Sequence, residues 1–393
     1  MKKIIMIRYG ELSTKKDNIS YFLNLLESNI KKSLKNVDIQ ILKSKSRMYI
    51  EYKSKEEDLI IEKLKRIPGI TGFSISYIVK TDIEEMKTKV IELIKDLSFD
   101  TFKVVTKRPY KEFKYDSNEI NHIIGSIVLK NKNNKVNVHN PELTINIEVR
   151  DKEFTYIYFK EYKGLGGYPV SSNGRGLLMI SGGIDSPVSG YLAIKKGISL
   201  DAIYFESIPH TSLNARNKVI KLCKVLNDYS NDINLYIVSF TKLQELIYKN
   251  VEPSYIITIM RRMMYRITSK LANALNIKVI INGESIGQVS SQTLSNLYVI
   301  NNVTNIPVIR PLSCLDKKDI INISKEIKTY DISILPYEDC CTIFVPKHPI
   351  LYPSLDKCLK EEEKVDYEPL IEECLNNLIK INISKYNNFD DLL

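Results

Sequence analysis

At 393 residues, with 44% apolar and 26% charged side chains, the chain has the composition of a folded globular protein of two or three domains, which excludes a disordered or fibrous one. Its formal net charge of +10 sits almost wholly in residues 1–170, where 32 Lys and Arg face 23 Asp and Glu; this suits a polyanionic partner and equally a solvated lysine-rich surface. No run reaches the roughly 20 apolar residues of a membrane span, the start lacks the apolar core of a leader, and six scattered cysteines without a CxxC exclude a disulfide scaffold, so the cytoplasm is the expected compartment.

Residues 1–55 read as strand 3–8, helix 18–35 and strands 37–43 and 47–52, a small α+β unit with little core of its own. A second unit spans 56–163, with helical periodicity at 57–66, 83–96 and 117–130 and strand-like runs at 70–79, 102–107, 143–149 and 154–159. It holds no evident set of nucleophile and base and reads as a binding module. The stretch 163–176, KGLGGYPVSSNGRG, carries five glycines and a proline; we read 164–176 as a linker. From residue 177 strands 177–180, 200–205, 235–240 and 279–281 alternate with helices 187–196, 212–227 and 253–276, and further helices follow. An acidic, helix-prone tail closes the chain: residues 361–393 hold three lysines against nine acids. Apolar strands alternating with helices predict a parallel sheet covered on both faces, with ligands at the carboxyl ends of its strands.

The segment SGGIDS at 181–186 lies at such a strand end, between strand and helix. Two glycines let backbone pass close to a phosphate, Ser186 is expected to cap the helix, Pro187 to open it, and the helix dipole then faces an anion. The lysine of a P-loop is absent, so the loop fits a leaving pyrophosphate better than a γ-phosphate in transfer. Ser181, Gly182, Gly183 and Ser186 are the candidate phosphate contacts, and Asp185 would orient Mg²⁺ on the phosphates or the loop itself. Tyr204 and Phe205 close the next strand, where they either hold an adenine or pack in the core. Gly283 allows close backbone approach after strand 279–281, and Gln292 in the polar run 287–294 is a candidate ribose or base contact. Arg261 and Arg262 point about 100° apart on one helix, so at most one faces the sheet. Lys317 or Lys318, near a helix start, could reach a phosphate. Cys340 and Cys341 lie in a proline-bounded loop, and one of them is a candidate catalytic thiol while the other packs. Cys223 falls on the stripe Val219, Leu222, Cys223, Leu226 and reads as core, although convergence of Cys223, Cys314 and Cys340 stays open.

Taken in order, SGGIDSPVSGYL, TIMRRMMYRI, INGESIGQVSSQTL, RPLSCLDK and YDISILPYEDCCTIFVPKHP closely resemble the tRNA 4-thiouridine synthetase family, also called tRNA uracil 4-sulfurtransferase. VVTKRPYKEF, NPELTINIEV and KGLGGYPV resemble the family's front half. The resemblance implies a multidomain α/β and α+β protein. Its parts are a ferredoxin-like domain at 1–55, a THUMP RNA-binding domain at 56–163, the linker, and a doubly wound parallel-sheet PP-loop ATP pyrophosphatase domain at 177–393. It implies ATP and Mg²⁺ as cofactors, tRNA as partner, and adenylation of O4 of a tRNA uridine (position 8 in the family) followed by attack of a persulfide. A supply of sulfur for the thiamine thiazole and a homodimer come with it. Carried over by motif, nucleotide contacts fall on Met179, Ile180, Tyr204, Phe205, Arg261, Gly283 and Gln292; the loop acid is Asp185, the lysine is Lys317, and the sulfur-handling thiol is Cys340. No metal site on the protein alone is implied. Many family members continue into a rhodanese-like domain for which these 393 residues leave no room. Sulfur is therefore expected from a cysteine desulfurase, with Cys341 or Cys314 resolving the disulfide, or an iron–sulfur cluster as in related thiolases. Two other readings remain: an ATP pyrophosphatase that amidates a small molecule, and a non-catalytic RNA-binding or sulfur-relay protein.

Overall fold

A computed structural model of the protein describes residues 3–15, 18–230, 232–340, 343–344 and 346–385. The chain divides into two compact units, residues 1–167 and 168–393.

The first unit is built on one nine-stranded sheet. Its strands are β1 (Lys3–Tyr9), β2 (Ile39–Lys43), β3 (Met48–Tyr52), β4 (Ile70–Lys80), β5 (Thr101–Lys107), β6 (Lys135–Val136), β7 (Leu143–Val149), β8 (Phe154–Tyr158) and β9 (Tyr162–Lys163), and its helices are α1 (Ile19–Ser33), α2 (Glu57–Leu64), α3 (Ile83–Ile94) and α4 (Ser117–Asn131). The order is β2-β3-β1-β4-β8-β7-β5-β6, with β9 beside β4. β4 joins the halves: at 11 residues it is long enough to pair antiparallel with β1 along most of its length and with β8 at its far end. Ile83, Met86, Val90 and Ile94 form the apolar stripe of α3, and Ile120, Ile124 and Val128 that of α4. Both stripes bury against Phe102, Ile145, Ile147 and Ile157 of the sheet. Each helix starts on an aspartate. Asp82 accepts from the N–H groups of Glu84 and Glu85, and Asp116 closes a capping box with Glu119.

The second unit is a six-stranded sheet of β10 (Arg175–Met179), β11 (Ser199–Glu206), β12 (Asn234–Ser239), β13 (Ile280–Ile281), β14 (Val308–Ile309) and β15 (Ile379–Asn382). Helices α5 (Asp185–Lys195), α6 (Leu213–Ser230), α7 (Thr241–Asn250), α8 (Ile256–Ala274), α9 (Leu294–Asn301), α10 (Lys317–Glu326), α11 (Tyr330–Ser333), α12 (Leu355–Glu362) and α13 (Glu368–Asn376) surround it. The order β14-β13-β10-β11-β12-β15 sends the chain outward from β10 through β12 and then back to β13 on the other side of β10. The reversal opens a crevice at the carboxyl end of β10, where ligands of such sheets bind. All pairings are parallel except β12–β15. The acidic tail is thus not helical throughout: alternation in Ile379–Asn382 adds an antiparallel edge strand, and only residues up to 385 are described.

α8 fixes the wall of this crevice. Its Arg262 is fully buried and turned to α9 and α12, giving Nε to Glu362 Oε1 (2.6 Å), Nη2 to Glu362 Oε2 (3.0 Å) and Nη1 to the Val299 carbonyl. One guanidinium thereby ties α8 to α9 and α12. Arg262→Ala leaves Glu362 with Arg266 alone and the Val299 carbonyl without its donor. We expect a loss of about 3 kcal/mol, read as a lower urea midpoint.

Candidate active site

The loop between β10 and α5 is closed on itself by serine. Ser186 Oγ accepts from the Ser181 N–H at 2.9 Å and donates to the Ser181 carbonyl at 3.2 Å. Ser186 is therefore not the expected cap. The helix already begins at Asp185, no side-chain cap bond is made at Ile184, and the hydroxyl is spent on the shape of the loop instead. The Gly182 N–H donates to Asp339 Oδ1 at 2.9 Å, and the Gly183 N–H makes only a long contact with Ser181 Oγ at 3.4 Å.

A cavity of about 500 Å³ opens beside this loop. Met179, Ile180, Ser181, Asp185 and Ser186 line it from β10 and α5, Tyr204 and Phe205 from β11, Arg261 from α8, Gly283 and Glu284 after β13, Gln292 from the following turn, and Asp339 and Cys340 from across. Gly182, Gly183 and Lys317 are not among the lining residues. Gly182 is turned to Asp339, while Lys317, at the start of α10, gives Nζ to Asp185 Oδ1 at 2.6 Å. The second oxygen of Asp185 accepts from Gln288 Nε2 at 2.9 Å. Lys318 is exposed.

Arg261, and not Arg262, faces the cavity. It is ion-paired with Glu284 and donates Nη1 to the Ser291 carbonyl at 3.1 Å. Glu284, 3% exposed, also accepts from Arg310 Nε at 2.6 Å and from the Tyr265 hydroxyl at 3.2 Å. Two arginines on one carboxylate leave a local excess of positive charge at the wall. Two polar atoms in the cavity wall, Tyr204 Oη and Gln292 Oε1, are buried without a hydrogen-bond partner. Buried polar atoms are nearly always paired, so such orphans suit a polar ligand between them. Burial, with Asp339 and Cys340 nearby, raises the Tyr204 phenol well above its ordinary range, and it stays a hydroxyl donor.

Cys340 is 4% exposed and packs in the same apolar cluster as Met260, Met263 and Phe205. Its carbonyl accepts from Gln244 Nε2 at 2.7 Å, and Gln244 is itself fixed by Ser207. Cys341 lies outside the described residues. Cys223 is buried in α6, where burial pushes its thiol far up, and Cys314 is exposed. No group of three or more His, Cys, Asp or Glu that could hold a metal ion occurs among the described residues, so Cys223, Cys314 and Cys340 do not form a cluster. Nor is any described helix long and apolar enough to cross a membrane.

The residues that sequence reasoning missed are Asp339, Lys218, Glu284, Gln288 and Arg310. Glu284 and Asp339 stand next to residues already singled out, which is a signal in itself. Lys218 offered none. It lies on α6 beside the apolar Val219 yet is only 5% exposed, with Nζ donating to the carbonyls of Leu335 (2.9 Å) and Tyr337 (3.4 Å).

Gly283 approaches the protein's own backbone. A Cβ there would meet Ser186 N at 2.6 Å and the Asp185 carbonyl carbon at 2.8 Å. Gly283→Ala should cost about 1–3 kcal/mol in urea unfolding. Gly183→Ala, whose nearest neighbour would be Ser181 Oγ at 3.6 Å, should stay within about 0.5 kcal/mol of the parent.

Residues 171–367 match the family model described as thiamine biosynthesis protein (ThiI), residues 4–74 the ThiI ferredoxin-like domain and residues 80–159 the THUMP domain. A protein of Halothermothrix orenii named "Probable tRNA sulfurtransferase" is 47% identical over 378 residues, covering 94% of this chain and 95% of that one. One of the same name from Caldanaerobacter subterraneus subsp. tengcongensis is 45% identical over 383 residues, covering 97% and 100%. The crystal structure of a 4-thiouridine synthetase–RNA complex with bound ATP superposes with a TM-score of 0.87 at 37% identity, over 97% of this chain and 100% of that one. PH1313 from Pyrococcus horikoshii shares the fold, with a TM-score of 0.65 at 22% identity over 83% of this chain and 99% of that one. A ferredoxin-like domain, a THUMP domain and a PP-loop domain follow one another here, and the chain belongs to the ThiI family of tRNA sulfurtransferases.

Proposed function

We propose that the protein transfers persulfide sulfur to a tRNA uridine, position 8 in the family, using ATP and giving 4-thiouridine, AMP and pyrophosphate. The observation that carries this reading is one cavity that brings the serine-closed loop, Arg261 and the Cys340 residue together. An adenylating reading alone explains the loop but leaves Cys340 without a role.

In the reaction, O4 of the uracil attacks the α-phosphorus of ATP and the bond to pyrophosphate breaks. Pyrophosphate leaves toward Ser181–Ser186 and the start of α5, whose dipole favours the negative charge. Lys317, paired with Asp185 at 2.6 Å beside the cavity, reaches the phosphates on this reading. Asp185, whose two oxygens are held by Lys317 and Gln288, would share Mg²⁺ with the substrate phosphates, and the ion would there supply neutralisation of phosphate charge. Tyr204, Phe205 and Gln292 hold the nucleoside, the orphaned Tyr204 and Gln292 oxygens supplying polar contacts.

Adenylation turns the C4 oxygen into part of a good leaving group. The terminal sulfur of a Cys340 persulfide attacks C4, and AMP departs with the C4–O electron pair. A second thiol, Cys341 or Cys314, then attacks the Cys340 sulfur. The S–S bond breaks, its electron pair stays with the sulfur on C4, and the disulfide left behind awaits an external thiol reductant. A cysteine desulfurase is the proposed persulfide donor. The basic first unit supplies the grip on tRNA, so binding weakens as salt rises. The same sulfur would serve the thiamine thiazole, and a cytoplasmic homodimer completes the reading.

The decisive experiment incubates transcribed tRNA with ATP, Mg²⁺, cysteine and a cysteine desulfurase. A gain in nucleoside mass of sulfur for oxygen that depends on ATP supports the proposal, whereas AMP release driven by ammonia without RNA overturns it. Asp185→Ala should lower thiolation at least about 100-fold while tRNA affinity stays within a factor of two, as expected for loss of a group that acts on the phosphates. Cys340→Ser should still exchange labelled pyrophosphate into ATP in the presence of tRNA but form no 4-thiouridine.

A further inference from the structure

The phosphate loop and the segment that carries Cys340 are fastened to each other. The Gly182 N–H, one of the donors expected to face pyrophosphate, is taken by the carboxylate of Asp339 at 2.9 Å. Cys340 is the next residue along the chain. One further bond reaches the same loop, and another holds the approach to Cys340 against α6. Ser333 Oγ donates to the Gly183 carbonyl at 3.3 Å. Lys218, whose side-chain carbons come within 3.2 Å of where a Gly182 Cβ would stand, holds the carbonyls of Leu335 and Tyr337. Burial favours the neutral forms of both Asp339 and Lys218, and each opposes that for the other.

We propose that Asp339 is a positioning residue that latches the Cys340 segment onto the phosphate loop, and that nucleotide phosphate competes with its carboxylate for the Gly182 N–H. This rests on the reading of the cavity as an ATP site. One N–H cannot serve two anions, and a phosphate in the loop would lie directly against the Asp339 carboxylate. Filling the loop therefore expels Asp339, and of the contacts that fasten this region the one next to Cys340 breaks. The thiol, nearly sealed while the latch is closed, becomes reachable when the nucleotide that activates uracil is in place. Sulfur handling at Cys340, its loading included, is thereby ordered after ATP binding, and the thiol is shielded until nucleotide is bound.

The test uses the full-length protein with ATP and Mg²⁺ in the absence of tRNA. Affinity is read by calorimetry, and alkylation of each cysteine by iodoacetamide is read by peptide mass spectrometry. Asp339→Asn removes the competing charge while keeping an acceptor for the Gly182 N–H, and Asp339→Ala removes both. If the latched form dominates, both variants bind ATP about tenfold more tightly than the parent. Without nucleotide, Cys340 is alkylated about tenfold faster in Asp339→Ala and near the parental rate in Asp339→Asn; in the parent, ATP itself speeds the reaction. Cys223, fully buried on α6, reports folding. Should it become reactive in Asp339→Ala, the affinity of Asp339→Asn decides alone. ATP affinity unchanged or weakened in Asp339→Asn overturns the latch, as does unchanged Cys340 reactivity in a folded Asp339→Ala. A parent protein that binds no ATP overturns the ATP reading, and the latch falls with it.

Discussion

The second unit is organised by a contact in which there is no side chain. After β13 the backbone at Gly283 lies against the first turn of α5, with room for a hydrogen and for nothing larger. The residues on either side are fixed by the same approach. The Asn282 carbonyl accepts from Ser189 Oγ at 2.5 Å, one turn along α5, and Glu284 turns back toward α8 to meet Arg261. Three elements that are far apart in sequence are thus set by three consecutive residues. The loop can close on Ser186, and Asp185 can face Lys317, because the start of α5 is held at this one place.

Charge around the cavity is arranged in the same economical way. Each carboxylate at its wall has a basic partner: Asp185 has Lys317, Glu284 has Arg261 and Arg310, and Asp339 has Lys218 beside it. A carboxylate left alone in such a wall would repel a triphosphate and would itself be costly to bury. Paired, it does something different: it aims a cation. Glu284 is buried more deeply than either arginine, so it acts as the fixed point from which Arg261 and Arg310 project. The preference for Arg261 over Arg262 has the same origin. On α8 the two lie about 100° apart; Arg262 turns to Glu362 and fastens helices, which leaves Arg261 as the one that can reach the cavity.

Much of this was legible in the sequence because it is written locally. The alternation of β10, α5, β11 and α6, the serine and glycine loop, and the apolar stripes of α3 and α4 follow from the spacing of residues a few positions apart. What was hidden depends on partners distant in the chain. Ser186 has the right chemistry for a cap, and only the folded loop shows that its hydroxyl is nearer to Ser181. Lys218 looks like a surface lysine on a helix until the 335–339 segment folds over it. β14, at two residues, and β15, in an acidic tail, are strands only because β13 and β12 offer them edges. Propensity alone assigns such short segments poorly, since sheet preference is largely a matter of neighbours.

The placement of Cys340 brings these threads together. A persulfide is a strong nucleophile, and an exposed one would react with whatever thiol or oxidant met it first. Here the thiol sits in an apolar cluster with methionines and Phe205, its carbonyl fixed by Gln244. Those contacts protect the sulfur, but they also withhold it, since attack on uracil C4 requires the sulfur to meet an activated base. Protection and reactivity can belong to one residue only if the segment that carries it has two arrangements. The fold supplies a means of choosing between them, because that segment meets the phosphate loop through the Gly182–Asp339 contact, which an anionic ligand can replace, and the core through apolar contacts and the Gln244 bond, which it cannot. On the proposed reading, the part of the chain that meets nucleotide is also the part that bears the thiol.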